Sequence, residues 1–144
     1  MIFREMKFGS GDYRKACELR NAELRVPIGM NLYDEDLAAE CQQLHFGWFG
    51  ECGELVACVI AVPMAEGVAK IRQMAVRREH QGHGHGRRII REMEQHLARL
   101  GFVHLAMHAR MTAVDFYSKL GYAMVGTEFM EVGIPHLKME KAIP

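Results

Sequence analysis

The ten residues EHQGHGHGRR, positions 79–88, do most to limit the folds open to this chain. Gly82, Gly84 and Gly86 alternate with histidines between a strand-like segment, AKIRQMAVR (69–77), and a run with helical periodicity. Any fold that accommodates them feeds a strand into a helix through a glycine-rich turn. Such a turn exposes several backbone N–H groups at a helix N-terminus, where the helix dipole also favours negative charge. Glycine leaves no Cβ to block phosphate oxygens, and Arg87 and Arg88 add charge-assisted donors. The histidines raise a rival reading, convergence of His80, His83 and His85 on a metal. His83 and His85 are one residue apart and would diverge in a helical geometry, and only Glu79 stands close as a fourth ligand. No metal is therefore expected.

A chain of 144 residues accommodates one domain, 1–144, with a real core. Formal net charge is zero and the pI is near 7.1, so no nucleic-acid or anionic-membrane partner is expected and anion recognition must be local. No apolar run approaches the roughly 20 residues that span a bilayer. The segment MIFREMKFGS has no signal-peptide core, and Cys17, Cys41, Cys52 and Cys58 form no CxxC pair. Reduced thiols and a cytoplasmic location are the expectation.

Periodicity predicts a strand over 2–8, a helix capped by Ser10 and running to about Leu24, and a short helix over 34–43. LHFGWFG (44–50) and LVACVIAVPM (55–64) read as a hairpin, and 69–77 as the next strand. Ile89, Ile90, Met93, Leu97 and Leu100 share one helical face, ended by Gly101. FVHLAMHAR (102–110) alternates, with Val103, Leu105, Met107 and Ala109 inward. Thr112 is a candidate cap for a helix over 112–120, closed by Gly121, and two strands follow. The order implies a mixed α/β domain.

The run Gln81-Gly82-His83-Gly84-His85-Gly86 matches Q/R-x-x-G-x-G/A, and AVDFYSKLGY (113–122) matches A-x-x-F-Y-x-K-L-G-F/Y. With the strand before the loop, these motifs resemble the GNAT superfamily of N-acetyltransferases from about residue 55 to the C-terminus. The resemblance implies an α/β fold with a mixed, largely antiparallel sheet of about seven strands and flanking helices. It implies acetyl-CoA as cosubstrate and a primary amine as acceptor. Met74, Ala75 and Val76 would bind pantetheine through their backbone, one N–H polarising the thioester carbonyl. Gln81, Gly82, His83, Gly84, His85, Gly86 and Arg87 would wrap the pyrophosphate, and Tyr117 would protonate the departing thiolate. A dinucleotide site is a poorer match, since no acidic residue closes a parallel βαβ unit about 20 residues on.

LRVPIGMNLYDEDL (24–37), IRQMAV (71–76), HARMTAVDFYSKLGY (108–122) and IPHLKMEK (134–141) are similar to the glyphosate N-acetyltransferase type. That likeness implies that Arg25, Arg72 and Arg110 hold the acidic groups of a small amino-acid-like substrate and that His136 is the base. The residues themselves fit either of two readings. A mid-strand Arg72 needs an internal carboxylate or a cavity that receives one, and a guanidinium suits carboxylate or phosphonate. His136 falls on the polar phase of the last strand, opposite Leu137 and Met139, with Glu131 or a water as alternative bases. Asp34, Glu35, Asp36 and Glu131 keep open a cationic acceptor such as a lysine, a protein N-terminus or a polyamine. A non-catalytic acetyl-CoA-binding regulatory domain is the other alternative. By analogy with the superfamily, exposed edges of the closing strands would support a homodimer.

Overall fold

The computed structural model describes residues 1–144. Seven strands form one sheet: β1 (Ile2–Met6), β2 (Leu44–Phe49), β3 (Leu55–Pro63), β4 (Val68–Val76), β5 (His104–Arg110), β6 (Ala123–Glu131) and β7 (Ile134–Ala142). Their order is β1-β2-β3-β4-β5-β7-β6, and every neighbouring pair is antiparallel except β4 and β5, which are parallel. The helices are α1 (Gly11–Arg20), α2 (His85–Arg99) and α3 (Val114–Lys119). This is the mixed, largely antiparallel α/β arrangement expected.

Burial follows the sequence pattern. Strand β3 is apolar at nearly every position because both its faces are covered. Leu55 and Cys58 pack with Ala16 and Leu19 of α1, while Val59 and Ala61 join the cluster built on Ile89, Ile90, Met93 and Leu97 of α2. Those four α2 side chains are fully buried, each worth about 1.5–3 kcal/mol of transfer free energy. Leu100, predicted on the same face, is the C-terminal cap of α2 and lies exposed. Val103, predicted inward, precedes β5 and is likewise exposed.

Three local expectations change for physical reasons. Ser10 caps α1 by accepting a hydrogen bond from Tyr13 N at 3.3 Å, but the α-helix stops at Arg20 and continues as one wide π turn, Asn21–Arg25. Pro27 has no N–H to donate and its ring opposes a continuing α-helix; a 3-10 turn, Val26–Ile28, follows. The acidic segment forms two 3-10 turns, Leu32–Asp34 and Leu37–Gln42, instead of one helix, because Glu40 is drawn inward to Arg20 and Tyr13. Thr112 caps nothing: it is exposed in a 3-10 turn, Met111–Ala113, and α3 begins at Val114 without a side-chain cap.

One feature of the sheet positions everything below. Parallel pairing between β4 and β5 covers only Val68–Ile71 against His104–Met107. Strand β4 continues to Val76 and β5 to Arg110, but they no longer pair, so the sheet opens between them. On its other side β4 stays paired to β3 with a bulge: Cys58 faces Ala75 and Ile60 faces Arg72, leaving Gln73 and Met74 opposite Val59 alone. Gln73 has φ +52°, the left-handed conformation that one type of bulge reserves for glycine.

Candidate active site

The opening between β4 and β5 leads into a cleft of about 520 Å³. Alternation explains its lining. Ile71 and Met107 stand in register with their side chains in the core, so Arg72 and His108 turn to the other face. Arg110 pairs directly with His136 across β5 and β7, which brings those side chains together. Tyr117 enters from α3, and Leu24 and Arg25 come from the π turn. All four acceptor-end positions predicted from sequence, Arg25, Arg72, Arg110 and His136, therefore line one cleft with Tyr117.

The three arginines are not equivalent. Arg25 is buried and its Nε lies 2.7 Å from Oε2 of Glu35, so its charge is already paired. Arg110 donates to the Leu24 carbonyl at 2.7 Å, and Arg72 reaches Oε1 of Gln43 at 3.4 Å. Neither has a carboxylate partner. Burial, together with neighbouring Arg25, holds the Arg110 guanidinium below its ordinary range, the signature of a cation lacking a counter-ion.

His136 was expected on a polar strand phase; it does oppose Leu137 and Met139, but it is buried, 4% exposed, in the cleft wall. Its Nδ1 lies 2.9 Å from the Ile134 carbonyl, an acceptor only, so Nδ1 carries the proton and the Nε2 lone pair is free in the neutral ring. Nε2 lies 3.8 Å from Oε2 of Glu131. The other Glu131 oxygen is 2.8 Å from Nδ1 of His108. Burial opposes ionisation of Glu131, but the bond to His108 and the charges around it outweigh this and lower its pKa. The Tyr117 ring is buried against Phe116 and Tyr122. Burial pushes its phenol well above the ordinary range, so it stays protonated across physiological pH.

At the other end of β4 the glycine-rich segment leads into α2. Gly82 and Gly84 have φ +81° and +84°, values that a side chain would strain. An added Cβ at Gly86 would come within 3.2 Å of Phe116 and 3.5 Å of Met74, so α2 sits as close to β4 and α3 as glycine permits. The first turn of α2 contains no acidic residue, and Arg87 and Arg88 are exposed beside it. Gln81 ties the segment back to β4 by donating from Nε2 to the Val76 carbonyl at 2.9 Å. Trp48 donates to Nδ1 of His85 at 3.1 Å. The rings of His80 and His83 lie 5.9 and 6.4 Å from that of His85, and no group of three or more metal-ligating side chains is assembled.

These features fit an acetyl-CoA-type ligand: an anion cradle at a helix N-terminus, a bare strand edge beside it, and a polar cleft beyond. Met74, Ala75 and Val76 all fall on the part of β4 that β5 leaves unpaired. One cleft residue, His108, and one pairing, Glu35 with Arg25, lie beyond the sequence expectations. His108 was legible, since it alternates with Met107 and Ala109 on the phase of Arg110. Glu35, as a partner of Arg25, had no local signal.

Comparison with known proteins gives three kinds of match. The family described as the acetyltransferase (GNAT) domain matches residues 23–143. A provisionally named acetyltransferase of Bacillus subtilis (strain 168) is 28% identical over 137 residues, 90% of this chain and 89% of that protein. The uncharacterized protein YyaT of the same organism is 35% identical over 75 residues, 52% of this chain and about half, 51%, of that protein. Among solved structures, an N-acetyltransferase, also provisionally named, from Lactobacillus plantarum superposes with TM-score 0.88 at 22% identity over the whole of both chains. An aminoglycoside 6'-N-acetyltransferase complexed with coenzyme A gives 0.78 at 18% identity, covering 100% of this chain and 98% of that one. At these identities the structures bear on the fold alone.

Proposed function

The chain belongs to the GNAT acetyltransferase family, and from that premise we propose that it moves acetyl from acetyl-CoA to the primary amine of a small acidic, amino-acid-like acceptor in one direct step. The observation that carries this reading is the parting of β4 from β5. On the side away from β3 it leaves Met74, Ala75 and Val76 without a strand neighbour, as a ready edge for an extended amide-bearing arm. That edge runs from the cleft to the cradle of Gly82, Gly84 and Gly86 at the N-terminus of α2. The bound cosubstrate supplies an activated acetyl thioester. The chain's own groups do the rest. His136 takes a proton from the acceptor ammonium at Nε2, and a β4 peptide N–H stabilises the negative charge that develops on the acyl oxygen. The amine nitrogen bonds the acyl carbon as the carbon–sulfur bond breaks; Tyr117 gives its proton to the leaving sulfur, and the second proton shed by the nitrogen restores the phenol.

Support for the acceptor class comes from which groups are already engaged. Glu35 is paired with the Arg25 guanidinium and Glu131 is hydrogen-bonded to His108 at 2.8 Å, so neither stands as a carboxylate without a partner. Arg72 and Arg110 have no carboxylate partner and suit a carboxylate or phosphonate. This agrees with the glyphosate N-acetyltransferase likeness, with Arg25 supporting Glu35 while Arg72 and Arg110 meet the acceptor. A small-molecule partner is proposed.

Thiol release from acetyl-CoA, measured against acidic amino acids and aminophosphonates beside polyamines and lysine- or N-terminal peptides, tests this. Turnover confined to acidic amines is expected, with Arg72→Ala raising acceptor KM roughly 10- to 100-fold, the worth of one charged hydrogen-bonded contact. Turnover on cationic acceptors that ignores Arg72 would remove the arginine site.

A further inference from the structure

On the face of the sheet beneath α1 lies a buried polar network that the mechanism above does not use. Arg20 is 1% exposed. Its Nη2 and Nη1 bond the two oxygens of Glu40 at 2.5 and 2.8 Å, and Tyr13 donates to Glu40 Oε1 at 2.8 Å. Replacing such a pair with apolar side chains is often no worse for stability, so stability alone does not account for it. The Arg20 Nε shows where the network leads: it donates to Oε1 of Gln73 at 2.6 Å.

Gln73 is costly in two ways. It holds φ +52° within a strand, a strained conformation for a non-glycine residue. Its amide Nε2 is buried with no hydrogen-bond partner, which carries a desolvation penalty of its own. Glycine would avoid both. The residue stands in the β4 bulge, two positions beyond the last pairing of β4 with β5 and immediately before Met74. Without β5 alongside, the only strand that pairs with β4 here is β3, through an irregular register.

We propose that Gln73 is a positioning residue: gripped by the Arg20–Glu40 pair, it locks the β4 bulge so that the following peptide N–H groups face the thioester carbonyl. This rests on the reading of β4 as the acetyl-CoA strand. A strained side chain tethered to a buried guanidinium fixes the direction of the peptide groups that follow, where a glycine would leave them free to turn.

Gln73→Gly removes the grip, the strain and the unpartnered amide together, and Gln73→Met removes the grip while keeping the bulk. Three readouts are taken on each: melting temperature without ligand, kcat with both KM values, and the infrared carbonyl stretch of bound acetyl-CoA labelled with carbon-13 at the acetyl carbonyl. Wild type should lower that stretch relative to free acetyl-CoA. Both variants should lose the shift and roughly 10- to 100-fold in kcat with KM for acetyl-CoA little changed, while Gln73→Gly melts close to wild type. A carbonyl shift and kcat retained in Gln73→Gly would overturn the inference and leave acetyl transfer standing. So would bound acetyl-CoA with no shift in wild type. Failure of wild type to bind acetyl-CoA by calorimetry would instead remove the proposed function, and this inference with it.

Discussion

At the scale of single residues, the cleft divides into side chains with satisfied charges and side chains without. Arg25 and Arg110 are neighbours there, but Arg25 is buried in an ion pair and Arg110 is bonded only to a carbonyl. Arg25→Ala should therefore lower the melting temperature, since it strands Glu35. Arg110→Ala should leave melting unchanged or raise it slightly, because a partly desolvated, unpaired cation is removed, and should raise acceptor KM about 10- to 100-fold. Thermal melts and steady-state kinetics on the two variants check the contrast. Tyr117→Phe should lower kcat roughly 100-fold or more at unchanged acceptor KM, the usual contribution of a positioned general acid. Burial raises the Tyr117 pKa, so the protonated, proton-giving form persists as pH rises; loss of activity attributable to its ionisation should not occur below about pH 10.

At the scale of elements, the entry to α2 is set by glycines with different jobs. Gly84 is the residue before α2 and needs a left-handed backbone, whereas Gly86 is helical and needs the absence of a side chain. Gly84→Ala should cost about 1–2 kcal/mol in strain and raise KM for acetyl-CoA by reshaping the cradle. Gly86→Ala should press on Phe116 and Met74, costing about 1–3 kcal/mol in overpacking and disturbing kcat as well, because Phe116 adjoins Tyr117. Kinetics with varied acetyl-CoA separate the two. The C-terminal ends of α2 and α3 were legible in the sequence because Gly101 and Gly121, at φ +98° and +96°, stop helices by a local rule. The π turn was not legible: Pro27 marks that the helix must change, but not that it widens and frees the Leu24 carbonyl for Arg110.

For the whole molecule, the network under α1 links three distant parts of the chain, since Tyr13, Arg20, Glu40, His45 and Gln73 all join it. Burial by itself would raise the Glu40 carboxyl, but its bonds from Arg20 and Tyr13 prevail and hold its pKa below the ordinary 4.5. Burial lowers His45 below its ordinary 6.5 despite its bond to the Glu40 carbonyl. The signs agree. The unfolded chain protonates His45 first as pH falls below 6.5, and the Glu40 contribution, full above about 4.5, is lost as pH drops through its lowered folded value. Melting temperature should therefore be flat near neutrality and fall progressively below pH 6.5. Glu40→Gln, which leaves Arg20 buried without a counter-ion, should cost about 3–5 kcal/mol at pH 7 and remove the part of the fall that lies below about pH 4.5, leaving the His45 part in place. Melts from about pH 2 to 8 on both proteins provide the check.

The seven strands, the three α-helices, their order and the glycine-rich turn into α2 are determined by the sequence itself, because apolar periodicity, glycine conformation and proline chemistry act within a few residues. The common face of Arg110 and His108 belongs to the same class, since alternation along one strand places both. The tertiary structure alone decided which charges meet. Arg110 reaches His136 through the register of β5 on β7, His108 finds Glu131 across 23 residues, and Arg20 finds Gln73 across 53. No local preference encodes such pairings. They follow from which polar groups the closing core desolvates together, since each buried charge must then find whatever partner the sheet brings within reach.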